Sequence, residues 1–563
     1  MFLFFYKMCY YSLMIAQDIK VLLSEDERAM EVNDIPARLL AEVDDIILRN
    51  SGQISKEAFG IYSKFAPMKQ NAPEGMKNEL FSVMKNYIKE QLLISKYADA
   101  LFLARFLIVK AKLTSSVYSS IAEALASMGE ETTARSFISL YQKKEPNKPL
   151  LYLTMGNFYN LCLKDYKNAI KYYEQYLKID ETKPVVYTIL GSLYSKVYGE
   201  YSLKDQIYYY EKAYKLKPND RLILHTLAFG YEKLNDIQSA DKYYRELLQN
   251  NPTDTDYYNY GGFLIRCGDF RQGYKYLTHR FNIDDVNLRY PIADTDKKWD
   301  FEEDISQKTL LVMYEQGFGD TFMYCRFVPM LKKFAKRVVF VVQENLYELL
   351  KSSPVVSDGI EIYPESVSLE DIDYDVHMAL IDTPYVLGIT SDEIPYRNGY
   401  LEIDSKKAAE YGQKNLIPSK NIKVGVAYQG NRLANYNGRD IELSKLQTIF
   451  GMEGFDFYSF TLNEKDCENL IPLGKNFKTF TDTACALKNM DLVISTDNVV
   501  LNLAGAMGIK TFGLFNKYPN FRWFKLTGED VGWYRSVKPY QTEDNNYWND
   551  VLAQVRNELS SLR

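Results

Sequence analysis

A small residue recurs through the first half of this chain at a nearly fixed step, and no other feature restricts the fold as strongly. Ala122, Gly156, Gly191, Ala228 and Gly261 are separated by 34, 35, 37 and 33 residues. A second small position follows at Ala134, Ala169, Ala240 and Gly273, and Pro146, Pro218 and Pro252 stand where a second helix has to stop. In residues 149–184, Leu153, Gly156, Tyr159, Ala169, Tyr173 and Tyr176 occupy the positions where a helix–turn–helix unit of about 34 residues needs alternating small and large apolar groups. One such unit cannot bury its apolar face alone. Stacked copies can, which predicts five units forming a superhelix with a concave surface.

Across residues 115–282 this pattern resembles the tetratricopeptide repeat (TPR) family. The resemblance implies a groove for a peptide or a protein partner; an array that only rigidifies the chain or pairs it with a second copy is the alternative. Residues 20–110 also read as helical, from the apolar spacing in 37–48 and 92–108, either as degenerate repeats or as an N-terminal cap.

Composition removes several function classes. With 68 Lys and Arg against 74 Asp and Glu, the net charge of −6 provides no basic field for nucleic acid. Six scattered cysteines and three isolated histidines have no ligand-like spacing, so no metal site is expected and a reducing compartment is. Residues 1–16 are apolar but interrupted by Lys7, too short to span a bilayer and without a basic lead-in, so they read as a leader or as residues upstream of the true start. The expected location is cytoplasmic, with no stable membrane insertion.

Beyond residue 284 the pattern changes to short Val-, Ile- and Phe-rich runs alternating with helical stretches, the mark of an α/β fold. Strands are predicted at 309–314, 338–342, 360–363 and 376–380, then at 423–428, 455–460, 492–495 and 511–515. Two sets predict two lobes, with the proline-bearing segment 381–418 crossing between them. Ligands of doubly wound sheets bind beyond the strand ends, which places the expected site in the cleft.

Two constellations lie at such strand ends. The first, EQGFGDT at 315–321, follows an apolar strand and precedes a helix carrying Arg326. Gly317 and Gly319 allow close backbone approach there, and Asp320 is placed either for catalysis or for capping the helix. The second, DLVISTD at 491–497 followed by Asn498, ends a strand in hydroxyl and amide groups before a helix rich in small residues, a place suited to a diphosphate. For 504–508 close helix-to-sheet packing is the simpler reading. Gln429 and Asn431, ending another strand, are positioned to line the same pocket.

Residues 308–545 resemble glycosyltransferase family nine, the ADP-heptose transferases, and particularly its bacterial members with N-terminal TPR repeats. The matching marks are EQGFGDT, VAYQGN (426–431), Arg439, FTDTACAL (480–487), DLVISTD, LAGAMG (503–508), FRW (521–523) and GWY (532–534). The resemblance implies a GT-B fold of two Rossmann-like lobes, inverting transfer from a nucleotide-diphosphate-sugar, no cofactor and no obligatory metal. It implies Asp320 as general base and a donor site of Asp497, Asn498, Asn502, Gln429, Asn431, Thr483 and Arg439, the last equally readable as a surface ion pair. The family usually has Thr after its aspartate and His four residues beyond; this chain has Asn498 and Asn502, and an amide donates only as a neutral group.

The reading is therefore an α plus α/β chain: 1–16 a leader or false start, 17–114 helical, 115–282 the repeats, 283–400 a first, acceptor-side lobe and 401–563 a second, nucleotide-sugar-side lobe. The expected function is sugar transfer to a protein or glycan acceptor that the repeats recruit. The alternative is an inactive or weakly active scaffold whose repeat groove binds proteins or a second copy of the chain.

Overall fold

In a computed structural model of the chain, the structure describes residues 35–65, 73–110, 115–283, 290, 292, 296–430, 439–462, 467–523, 525, 526, 528, 530–543 and 548–562. The leader expected at 1–16, and Asn431, lie outside them. The chain divides into two compact units, residues 1–230 and 231–563.

Among the described residues, the first unit begins with the helices Ala37–Arg49, Lys56–Phe65, Glu74–Leu93 and Tyr97–Lys110. The first buries Leu39, Leu40, Val43, Ile46 and Ile47, the spacing of one helical face, and Asp44 beside that face receives Arg105 in a two-pronged ion pair of 2.6 and 2.9 Å. Helix pairs follow at Ser115–Ser127 with Glu131–Lys144, Pro149–Asn157 with Tyr166–Leu177, and Pro184–Tyr198 with Leu203–Leu216.

The recurring small residue has a steric cause. A Cβ on Gly156 would stand 2.7 Å from the ring of Tyr173, and one on Gly191 2.5 Å from the ring of Tyr210, so the paired helix packs its tyrosine onto bare backbone. The step of 37 also has a cause. A 3₁₀ turn, Gly199–Ser202, lengthens the connection in that unit and begins at Gly199 with φ +57°.

In the second unit come Ile237–Gln249, α1 (Asp254–Arg266) and α2 (Phe270–Leu277). Three repeat turns of the chain are built alike: a residue with positive φ (Lys164, Asn235 or Gly268) is followed by an aspartate (Asp165, Asp236 or Asp269) whose side chain accepts the N–H three residues on and caps the second helix.

Two all-parallel sheets follow. The first has β1 (Thr309–Met313), β2 (Arg337–Val342), β3 (Glu361–Pro364) and β4 (Val376–Ala379) in the order β3-β2-β1-β4. The second has β5 (Ile422–Ala427), β6 (Phe455–Ser459), β7 (Leu470–Pro472), β8 (Leu492–Thr496), β9 (Thr511–Phe515) and β10 (Val537–Gln541) in the order β10-β9-β8-β5-β6-β7. The strand order reverses direction between β1 and β4 and between β5 and β8, and crevices open at such switch points. All eight strands predicted from the sequence are present. The edge strands β7 and β10 were not expected, because β7 is three residues long and β10 is broken up by Lys538 and Pro539.

Among the described residues no helix is long and apolar enough to cross a membrane.

Candidate functional site

The segments after β1 and β8, one at each switch point, lead into α3 (Phe318–Tyr324) and α5 (Val499–Ala506). These two helices approach closely: a Cβ on Gly319 would lie 3.1 Å from the Asn502 amide nitrogen and 3.8 Å from Val499 Cα. Beside α3, α4 (Phe480–Lys488) sets Phe480 edge-on against Phe318 and Phe322, with ring centroids 5.0 and 5.3 Å apart.

Asp320 takes the capping role that the sequence left open and forms an ion pair as well. One carboxylate oxygen accepts the Gly317 N–H at 3.1 Å, closing the first turn of α3, while the other is ion-paired with Arg522. Both side chains are 14% exposed. Arg522 also reaches the Gln316 side-chain oxygen at 3.3 Å, and Gln316 holds a left-handed backbone with φ +59°. The Nε of Arg522 is buried without a hydrogen-bond partner among the described residues.

Trp523, the next residue, donates its indole N–H to Asp497 at 2.9 Å. Burial pushes the Asp497 carboxyl above the usual carboxylate range, opposed by that hydrogen bond and by the charges of Arg439 and Arg522. The FRW segment thus contacts both aspartates, a role its sequence did not disclose. Its position is set by three further contacts: Phe521 packs on Gly262 of α1, Trp533 donates to the Arg522 carbonyl at 2.7 Å, and Leu526 donates to the Arg266 carbonyl at 2.8 Å.

The two asparagines have structural occupations. Asn498 caps α5: its side-chain oxygen accepts from the Val500 and Leu501 N–H groups at 2.8 and 3.4 Å and from Ser495, and its amide donates to the Ala427 carbonyl and to Thr496. Asn502 donates to the Asn498 carbonyl at 3.2 Å and accepts from the Tyr534 hydroxyl at 3.1 Å. Two N–H groups at the start of α5, those of Val500 and Leu501, are therefore already taken by the chain itself.

The remaining expected residues are distributed around this cluster. Gln429 is half-buried just beyond β5. The Arg439 guanidinium lies over Gly430, where a Cβ would come within 2.6 Å of it, and its charge acts on Asp497. Thr483 is buried in α4, its hydroxyl bonded back to Thr479 at 3.5 Å. Gly505 serves packing, since a Cβ there would stand 2.5 Å from the buried Tyr534 ring. Gly505→Ala is accordingly expected to destabilise the unit by about 1–3 kcal/mol in urea unfolding.

Arg326 is not at the site. It is fully buried and solvated by carbonyls, Met323 at 3.0 Å and Trp533 at 2.9 Å, by the Tyr400 hydroxyl at 2.9 Å, and by the Tyr400 and Tyr534 ring faces at 4.3 and 4.7 Å. It joins the segment just after α3 to residues 395–400 and to Trp533.

Residues 150–183 and 223–254 match the tetratricopeptide repeat family. The chain carries tetratricopeptide repeats. Repeats of this kind support interaction with protein partners. A curated relative, protein FlbA of Caulobacter vibrioides, is 24% identical over 388 residues, covering 63% of this chain and 63% of that protein; the chain thus spans less than two thirds of its relative's length. Among solved structures, the similar ones include YrrB, a TPR protein with an unusual peptide-binding site (18% identity, 31% of this chain and 87% of that one, TM-score 0.27). PilF of Pseudomonas aeruginosa (13%, 36% and 91%, TM-score 0.31) and MamA (19%, 32% and 97%, TM-score 0.27) are also similar.

Proposed function

We propose that the chain is a glycosyltransferase of the GT-B type that moves a sugar from a nucleotide-diphosphate-sugar to a protein or glycan acceptor, with inversion and without a metal. The observation that carries this reading is the meeting of the two switch points: Asp320 on α3 and Asp497 before α5 are bridged by the adjacent residues Arg522 and Trp523. Inverting transfer uses this set of groups. A carboxylate takes the proton of the acceptor hydroxyl as that oxygen attacks the anomeric carbon, and cations receive the departing diphosphate. Arg522 and Arg439 supply the cations, and the repeats bring the acceptor or a partner.

The test is a thermal-shift and calorimetric screen of the purified chain against nucleotide-sugars and free nucleoside diphosphates. Saturable stabilisation by one class supports the reading and names the donor. No response from a well-folded protein would favour a scaffold that works through its repeats, a reading to which the internal pairing of Asn498 and Asn502 lends support.

A further inference from the structure

The Arg522–Asp320 pair creates a conflict within the proposed reaction. Each Asp320 oxygen already accepts one donor, the Gly317 N–H on one and the Arg522 guanidinium on the other, so the cation occupies the approach of a hydroxyl to the second oxygen. The diphosphate faces the complementary difficulty. At the start of α5, the Val500 and Leu501 N–H groups are taken up by Asn498, and the Asn502 amide donates to the Asn498 carbonyl. Binding therefore has to come chiefly from cations. Of these, Arg522 has a buried N–H without a partner among the described residues and a backbone fixed by Trp533, Phe521 and Trp523, so its guanidinium can turn without moving its segment.

We propose that Arg522 is the cation that takes the donor's diphosphate, and that its ion pair with Asp320 masks the catalytic base until the donor arrives. This rests on the transferase reading above. A diphosphate offers the planar guanidinium more charge and more acceptor oxygens than one carboxylate, so it draws Arg522 away. Asp320 is then free on one oxygen. The acceptor O–H bond breaks, with its proton going to Asp320; the acceptor oxygen bonds to the anomeric carbon; and the bond from that carbon to the phosphate oxygen breaks, its electron pair leaving on the nucleoside diphosphate beside Arg522. Donor binds before acceptor, and water meets no free base in the empty site.

The test is calorimetric binding of ADP, GDP, UDP and dTDP to the full chain and to its Asp320→Asn, Asp497→Asn, Arg522→Gln and Arg522→Lys variants, with folding followed by circular dichroism. Freeing Arg522 is expected to make Asp320→Asn bind the preferred diphosphate at least fivefold more tightly than wild type. Asp497→Asn, which removes the same charge without freeing Arg522, is expected to gain less. Arg522→Gln is expected to lose at least tenfold. If it does not fold, Arg522→Lys, which keeps the charge but not the planar fork, is expected to show a smaller loss. Unchanged or weaker binding by Asp320→Asn, or equal gains in the two aspartate variants, would overturn the mask. Undiminished binding by a folded Arg522 variant would overturn its role as the diphosphate cation. Wild-type protein that binds none of the four would overturn the transferase reading along with this one.

Discussion

Replacing Asp320 with asparagine is expected to lower transfer by about 10²- to 10⁴-fold, the usual contribution of a positioned general base. The measurement is kcat/KM with the donor found by the nucleotide-sugar screen. On sequence resemblance alone the variant should fold and bind donor almost as wild type does. The ion pair changes that expectation. Asparagine can still accept the Gly317 N–H and close the first turn of α3, but it leaves Arg522 without its counter-ion. Because both side chains keep some exposure, the stability loss should stay below the roughly 3–5 kcal/mol of a fully buried broken pair. Urea unfolding of the variant separates this loss from the catalytic one. Unchanged transfer by the folded variant would remove Asp320 from the mechanism.

Arg280→Met is expected to produce the largest loss of stability. Arg280 lies just beyond α2, is 1% exposed, and holds two buried carboxylates: Glu315 through bonds of 2.5 and 2.8 Å, and Asp382 at 2.6 Å. Glu315 also accepts the Ile381 N–H at 3.0 Å. Methionine fills much of the volume but leaves the two carboxylates without their ion-pair partner, the charge of Lys298 offsetting only part of the loss, at a cost of about 3–5 kcal/mol.

The pH dependence of the variant gives a second readout. In the wild type, burial holds the Asp382 carboxyl above its ordinary value, Arg280 lowers it, and Glu315 raises it. Removing Arg280 removes the larger lowering contributions, its charge and its hydrogen bond, and leaves the smaller one from the charge of Lys298. A carboxyl whose folded pKa lies above its unfolded value binds its proton more tightly in the folded state. Its favourable contribution is therefore present at low pH and is lost as pH rises through the folded pKa. The variant should regain part of its stability between neutral and mildly acid pH, relative to wild type, in urea titrations at each pH. A parallel offset at every pH would show that the lost interaction is packing and not charge.

How far the sequence showed the site depended on the kind of residue. Asp320 and Asp497 were legible because each belongs to a run that follows a strand, and strand ends at switch points are where such sheets expose polar groups, whereas Arg439 was named only through the family resemblance. Arg522 and Trp523 were visible as a motif but carried no role. They lie about 200 residues from Asp320 in sequence, and no periodicity links them to it. Glu315 belonged to a recognised motif, yet its partner Arg280 belongs to the end of the repeat array, and nothing local connects the two. Asn498 and Asn502 looked like weakened ligands; the structure makes them a helix cap and a contact between helices.

By itself the sequence determined the repeats and the two sets of strands. Their signals are local: a small residue wherever a tyrosine must meet backbone, and apolar runs of strand length between helices. Only the tertiary structure decided which groups face one another. The ion pair on Asp320, the capping of α5 by its own asparagine and the buried cation between Glu315 and Asp382 arise where segments distant in the chain pack together. Burial then makes such pairings strong, because a charge or an N–H removed from water must find its partner within the protein.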